Sequence, residues 1–222
     1  MKEKIKKIFR DRGVTLCGFA AADGFNEAPQ GFHPRDIFKE CKSVIAYALP
    51  LSRGLVHVSP RIAYYQANNT LINELDRIAS EVSPAIEALG CRVVPVPSDG
   101  PYEYWDEEKR EGRGILSMRH AAMLAGIGCM GKNTLIMNRQ HGSFINLGAL
   151  LTDLSMESDP PYESLCIDNC RRCLDACPQK ALDGVTVNQK LCRKYTQATN
   201  ARGFDVYNCN SCRVVCPWTR GA

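Results

Sequence analysis

CIDNCRRCLDACP (residues 166–178) and CNSCRVVCP (residues 209–217) carry seven of the chain's 12 cysteines. Cys192 lies between them, so eight of the 12 fall after residue 165, whereas Cys17, Cys41, Cys91 and Cys129 stand singly among apolar neighbours. That break in composition places a domain boundary near Asp159-Pro160-Pro161, dividing residues 1–158 from residues 159–222. The N-terminus, MKEKIKKIFRDRG, is basic but has no apolar run behind it, so it does not read as a secretory signal. A reducing cytoplasm is the expected location. Disulfides do not persist there, so closely spaced thiols point to metal.

Spacing selects the metal. Cys166, Cys170 and Cys173 form a tight triplet before Cys177-Pro178, and Cys209 and Cys212 lead to Cys216-Pro217. Close cysteines ending in Cys-Pro are the ferredoxin spacing for a 4Fe–4S cubane, in which the cysteine before proline ligates the other cluster. One cluster then takes Cys166, Cys170, Cys173 and the distant Cys216. The other takes Cys209, Cys212 and the distant Cys177, and lacks a ligand. A regular ferredoxin has it three residues before Cys209, where this chain has Val206, so Cys192 is assigned. Structural zinc is the competing reading, but zinc sites favour separated cysteine pairs, often with histidine, and no histidine follows His141.

The other bounds are broad. A chain of 222 residues, 45% hydrophobic and 23% charged, folds rather than staying disordered. It has no apolar run of about 18 residues, so no membrane span is expected. The formal net charge is +4. Two oxidised cubanes with their thiolates carry about −2 each, which leaves the loaded protein nearly neutral and gives nucleic-acid binding little support.

Residues 3–12 read as a helix and Val14–Ala20 as a strand. Residues 22–35 read as a long loop and Ser43–Leu51 as a buried strand. Leu71, Leu75, Ile78, Val82 and Ile86 mark the core face of a long helix ended by Gly90. Cys91–Val96 is another strand, 97–114 a polar, aromatic loop, and 117–125 a helix ended by Gly126. Strands are expected over Thr134–Asn138 and Phe144–Thr152, around a turn at Gln140-His141-Gly142. Helices and strands alternate imperfectly, which predicts an α+β fold or three-layer sandwich rather than a doubly wound sheet. Gly126, Gly128 and Gly131 cluster at a helix-to-strand junction. A phosphate loop would precede its helix, and this one follows it.

AGIGCMGKNTLIMNRQHGSFINLGALLTDL (residues 125–154), with the paired cysteine runs and CPW, resembles epoxyqueuosine reductase. That family is related to the reductive dehalogenases. The similarity is strong over residues 112–218 and weaker in VTLCGFA and SVIAYALPL. The resemblance implies a nitroreductase-like, cobalamin-binding-type sandwich followed by a two-cluster ferredoxin-like domain. The clusters would pass single electrons to a pocket cofactor, cobalamin in the family, or to a small substrate. It implies that Gly126, Gly128, Gly131, Lys132 and Asn133 line the corrinoid side, with Gly142, Gly148, Thr152 and Asp153 in the hairpin beneath. It also implies a ferredoxin or flavodoxin as electron donor, an oxygen-sensitive chemistry, and a small molecule or corrinoid as partner.

Three departures qualify these expectations. The family's proton-donor aspartate falls at Gly112, leaving Asp106 and Tyr104 as the candidate acids of that loop. Cys129 stands where the family has tryptophan. The sequence ends shortly after CPW, without the extension that contacts tRNA, so tRNA is not an expected partner. The alternative to a reductase is an electron-transfer or corrinoid-activating protein without substrate chemistry of its own.

Overall fold

The computed structural model describes residues 1–58, 62–207 and 209–221. Helix α1 (Lys2–Arg10) buries Ile5 and Phe9, one turn apart, and leaves Lys4 and Lys7 exposed. Strand β1 (Leu16–Ala21) follows, then the short helix α2 (Pro34–Ile37), capped by His33 and Asp36. Strand β2 (Ser43–Pro50) and the long helix α3 (Ile62–Glu87) lead to β3 (Val93–Val96). Then come strands β4 (Tyr104–Asp106) and β5 (Glu111–Arg113), helix α4 (Met118–Leu124) and strands β6 (Cys129–Met130), β7 (Ile136–Met137) and β8 (Ile145–Thr152). The cysteine-rich remainder holds α5 (Arg172–Asp175), α6 (Gln189–Thr196), β9 (Gln197–Thr199), β10 (Asp205–Tyr207) and α7 (Ser211–Val214).

The main sheet runs β1-β2-β8-β3 with every neighbouring pair antiparallel. Alternation along β2 shows why it is central. Ile45 and Tyr47 pack with Ile5 and Phe9 of α1 and Leu75, Ile78 and Val82 of α3. Val44, Ala46 and Ala48 face the other way, toward Ala121 and Ala122 of α4. The result is a mixed α/β sandwich of three layers, and small residues on the α4 side let that helix lie close to the sheet. Among the described residues no helix is long and apolar enough to cross a membrane.

Two expectations need correction. Residues 104–113 form an antiparallel hairpin, not open loop. The strand expected over Thr134–Asn138 shrinks to Ile136–Met137, because Thr134 adopts φ +59° and its N–H closes a turn onto the Gly131 carbonyl at 2.8 Å. Residues 158–160, at the composition break, are also pinned to the sandwich. The Asp159 N–H donates to Phe19 O at 2.8 Å, its carboxylate meets Lys2 at 2.6 Å and Lys6 at 3.3 Å, and Ser158 Oγ accepts from Ala21 N–H.

Asp153 follows β8 directly and accepts from the Arg92 backbone N–H at 2.9 Å and from its guanidinium at 2.8 Å, which ties the end of β8 to the start of β3. Those hydrogen bonds hold its carboxyl below the usual aspartate range. A depressed folded-state value stabilises above the unfolded pKa of about 3.9 and is lost as pH falls through the folded value. Asp153→Asn is therefore expected to cost about 1 kcal/mol at neutral pH. In denaturant titrations the gap from the parent protein should narrow below pH 4, the usual aspartate range.

Candidate metal centre

The structure gathers the cysteines into two quartets. Cys166, Cys170, Cys173 and Cys216 line a small, partly open cavity together with Gly131, Lys132, Asn133, Met137 and Trp218. The extra residue in the first turn is absorbed by Asn169, at φ +58°, while the Cys170 N–H donates to Ile167 O at 3.1 Å. Asparagine tolerates that left-handed conformation better than most residues. Burial raises the Cys216 thiol pKa, and charge on Cys166, Cys173 and Cys170 raises it further.

Cys177, Cys192, Cys209 and Cys212 form the second group. Burial, then charge on Cys209, Cys192 and Cys177, pushes the Cys212 thiol up to about 12. Cys177 is buried after α5 and its sulfur accepts from the Ala181 N–H at 3.3 Å. Cys192 is half-buried on α6, and Cys212 lies in the first turn of α7. Each Cys-Pro cysteine thus stands with the thiols of the other run. Among the described residues none of the cysteines is in a disulfide. Nor do any three Cys, His, Asp or Glu side chains among them converge closely enough for a single ion. The first quartet surrounds a space instead.

The wall of that space is polar at chosen points. The Lys132 N–H donates to Cys166 Sγ at 3.4 Å, and its ammonium donates to Cys170 O at 3.2 Å. The Asn133 amide donates to Cys212 O at 3.1 Å. Lys132 therefore holds the first cysteine run and Asn133 the second. Trp218 Nε1 is buried with no partner among the described residues. A buried donor of that kind calls for an acceptor, and the indole stands on the wall of the thiol-lined cavity. The sequence named this tryptophan only as part of CPW.

The three glycines are filled by the chain itself. A Cβ at Gly126 would come 2.5 Å from Pro160 O, one at Gly128 2.5 Å from Met137 O, and one at Gly131 2.7 Å from Asn133 Oδ1. Gly131, Lys132 and Asn133 border the thiol cavity, and Gly126 borders a second, open hollow shared with Lys6, Cys17, Asn138, Asp159 and Tyr162. Cys129 is buried and accepts from the Leu165 N–H at 3.2 Å, a packing role.

The β4–β5 hairpin docks on α6. Gly112 exchanges two hydrogen bonds with the Gln189 amide, at 3.1 and 3.2 Å. Arg193 lies over the stacked Tyr102 and Trp105 rings, 5.1 and 4.8 Å from their centroids. A side chain at position 112 would meet the Tyr102 ring at 2.7 Å. Asp106 accepts from the Lys109 N–H, which holds its carboxyl below the usual range, and the Tyr104 hydroxyl donates to it at 3.4 Å. A carboxylate kept ionised is a poor proton donor near neutral pH. His120, exposed on α4, hydrogen-bonds with Ser117 at 2.7 Å. Sequence spacing had no means of finding Gln189 or Arg193, whose partners lie about 80 residues away.

No family model matches the chain. It is 26% identical to the epoxyqueuosine reductase of Lactococcus garvieae, over all of this chain and 70% of that protein. It is 27% identical to that of Bacillus anthracis, over all of this chain and 65% of that protein. A stretch covering 68% of the chain is 30% identical to the Aliivibrio fischeri enzyme but spans only 39% of it. Among solved structures, epoxyqueuosine reductase from Streptococcus thermophilus superposes with TM-score 0.68 at 23% identity, over all of this chain and 67% of that one. A reductive dehalogenase described for B12-dependent dehalogenation superposes with TM-score 0.68 at 17% identity, over 97% of this chain and 31% of that one. The fold is thus shared with both groups.

Proposed function

We propose, from the premise that the chain is similar over its whole length to the epoxyqueuosine reductases, that it is an oxidoreductase carrying two 4Fe–4S clusters. In this reading residues 1–158 form the substrate-side sandwich and residues 159–222 a ferredoxin-like domain. Cys166, Cys170, Cys173 and Cys216 hold one cluster, and Cys177, Cys192, Cys209 and Cys212 the other. The observation that carries the reading is the separation of eight thiols into two quartets, each taking the Cys-Pro cysteine of the opposite run. When bound, such clusters supply electrons one at a time.

The chain's residues do the rest. Lys132 and Asn133 hold the two cysteine runs against the sandwich. Arg172, on the cavity wall, and Arg213, beside Cys212, lessen the repulsion between thiolates. Trp218, on the cavity wall, carries a buried indole N–H without a partner among the described residues. The substrate proposed is a small molecule taken up by the sandwich.

Cobalamin is not included. Of the residues that the resemblance assigns to a corrinoid, Lys132 and Asn133 are engaged by the cysteine runs, and the reductive dehalogenase that shares the fold is the neighbour that suggests the cofactor. A solved epoxyqueuosine reductase carries a tRNA stem loop. For this chain tRNA remains a competing partner to be tested.

Anaerobic titration with dithionite tests the proposal. The expected result is a broad visible band that bleaches on uptake of about two electrons per chain, one for each cluster. A colourless protein that takes up none would refute it.

A further inference from the structure

Helix α6 divides cleanly into two faces. Cys192 and Arg193 are half-buried, the first among the second quartet of thiols and the second against the hairpin aromatics. Lys190, Leu191, Lys194 and Tyr195 are exposed. Leu191 is 36% and Tyr195 46% accessible, unusual for large apolar side chains on so short a helix. No acidic residue lies on the helix. An outward face of two lysines beside two apolar side chains therefore backs directly onto a thiol of the second quartet. The first quartet, by contrast, shares its cavity wall with Lys132, Asn133 and Trp218 of other segments.

We propose that this outer face of α6 is the docking surface for a small acidic one-electron carrier protein, which delivers electrons to the second cluster through Cys192. The proposal rests on the two-cluster reading above. Charge complementarity selects the partner. Lysines steer an acidic surface into an encounter, and a small apolar centre holds it for transfer. Each encounter oxidises the carrier by one electron and reduces the second cluster by one. No bond forms or breaks and no proton moves.

The test is stopped-flow reduction of the anaerobically purified protein by a reduced acidic bacterial ferredoxin, comparing wild type with the double variant Lys190→Glu/Lys194→Glu. The expected second-order rate constant falls about 10- to 100-fold at low ionic strength. The gap should close in about 0.5 M salt, where the screening length is only a few ångströms. Iron content and bleaching by dithionite should not change. A second variant, Leu191→Ala/Tyr195→Ala, should weaken the reaction without altering its salt dependence. A bleachable protein whose reduction ignores the charge reversal would overturn the surface alone. Loss of binding to a tRNA anticodon stem loop, with ferredoxin reduction intact, would also overturn it. A wild-type protein without bleachable iron would remove the cluster reading and this surface together.

Discussion

Cys216→Ser is expected to strip the cluster held by the first cysteine run, although Cys216 belongs to the second. Cys177→Ser should do the reverse. In each case iron should fall from about eight to about four atoms per chain, with one of two reduced EPR signals lost. The reason is geometric. Cys216 shares its cavity with Cys166, Cys170 and Cys173, whereas Cys177 lies with Cys192, Cys209 and Cys212. Cys192→Ser should therefore resemble Cys177→Ser. Loss of the cluster local in sequence to each substitution would show that the pairing is not crossed.

Gly142→Ala should cause the largest effect away from the thiols. Gly142 has φ +58°, and an added Cβ would fall on the backbone of Trp218 and Thr219. Both walls are main chain, so neither yields by a rotamer change. The left-handed conformation and the overlap together should cost about 3 kcal/mol. The segment displaced carries Cys216 and Trp218, so the first cluster should be lost before the second. A thermal unfolding scan on the loaded protein, followed by iron analysis, checks both parts. An unchanged melting temperature with full iron would contradict them.

Much of this was readable from sequence because it depends on local chemistry. The two cysteine runs state their spacing directly, and Cys192 is the one further cysteine in the segment after residue 158. β2 and β8 show themselves through apolar pattern, with observed bounds within a residue of those expected; the stripe from Leu71 to Ile86 marks α3, which begins nine residues earlier, at Ile62. The hairpin at 104–113 leaves no sequence pattern for a physical reason: its strands are only three residues long, and Gly112 is their one buried residue. Its hold comes from Gln189 and Arg193, far away in sequence. The glycine cluster was legible as a place of close approach, but not whether a ligand or the chain approached. Pro160, Met137 and Asn133 occupy it. The proline-rich break at Asp159 marked a change in composition but not a free linker, because long-range ion pairs to Lys2 and Lys6 anchor it.

The most direct measurement is elemental analysis of protein purified without oxygen, reporting iron, acid-labile sulfide, zinc and cobalt per chain. Two cubanes predict about eight iron and eight sulfide with no zinc. Stoichiometric zinc without sulfide, or thiols recovered as disulfides, would contradict the account at its base.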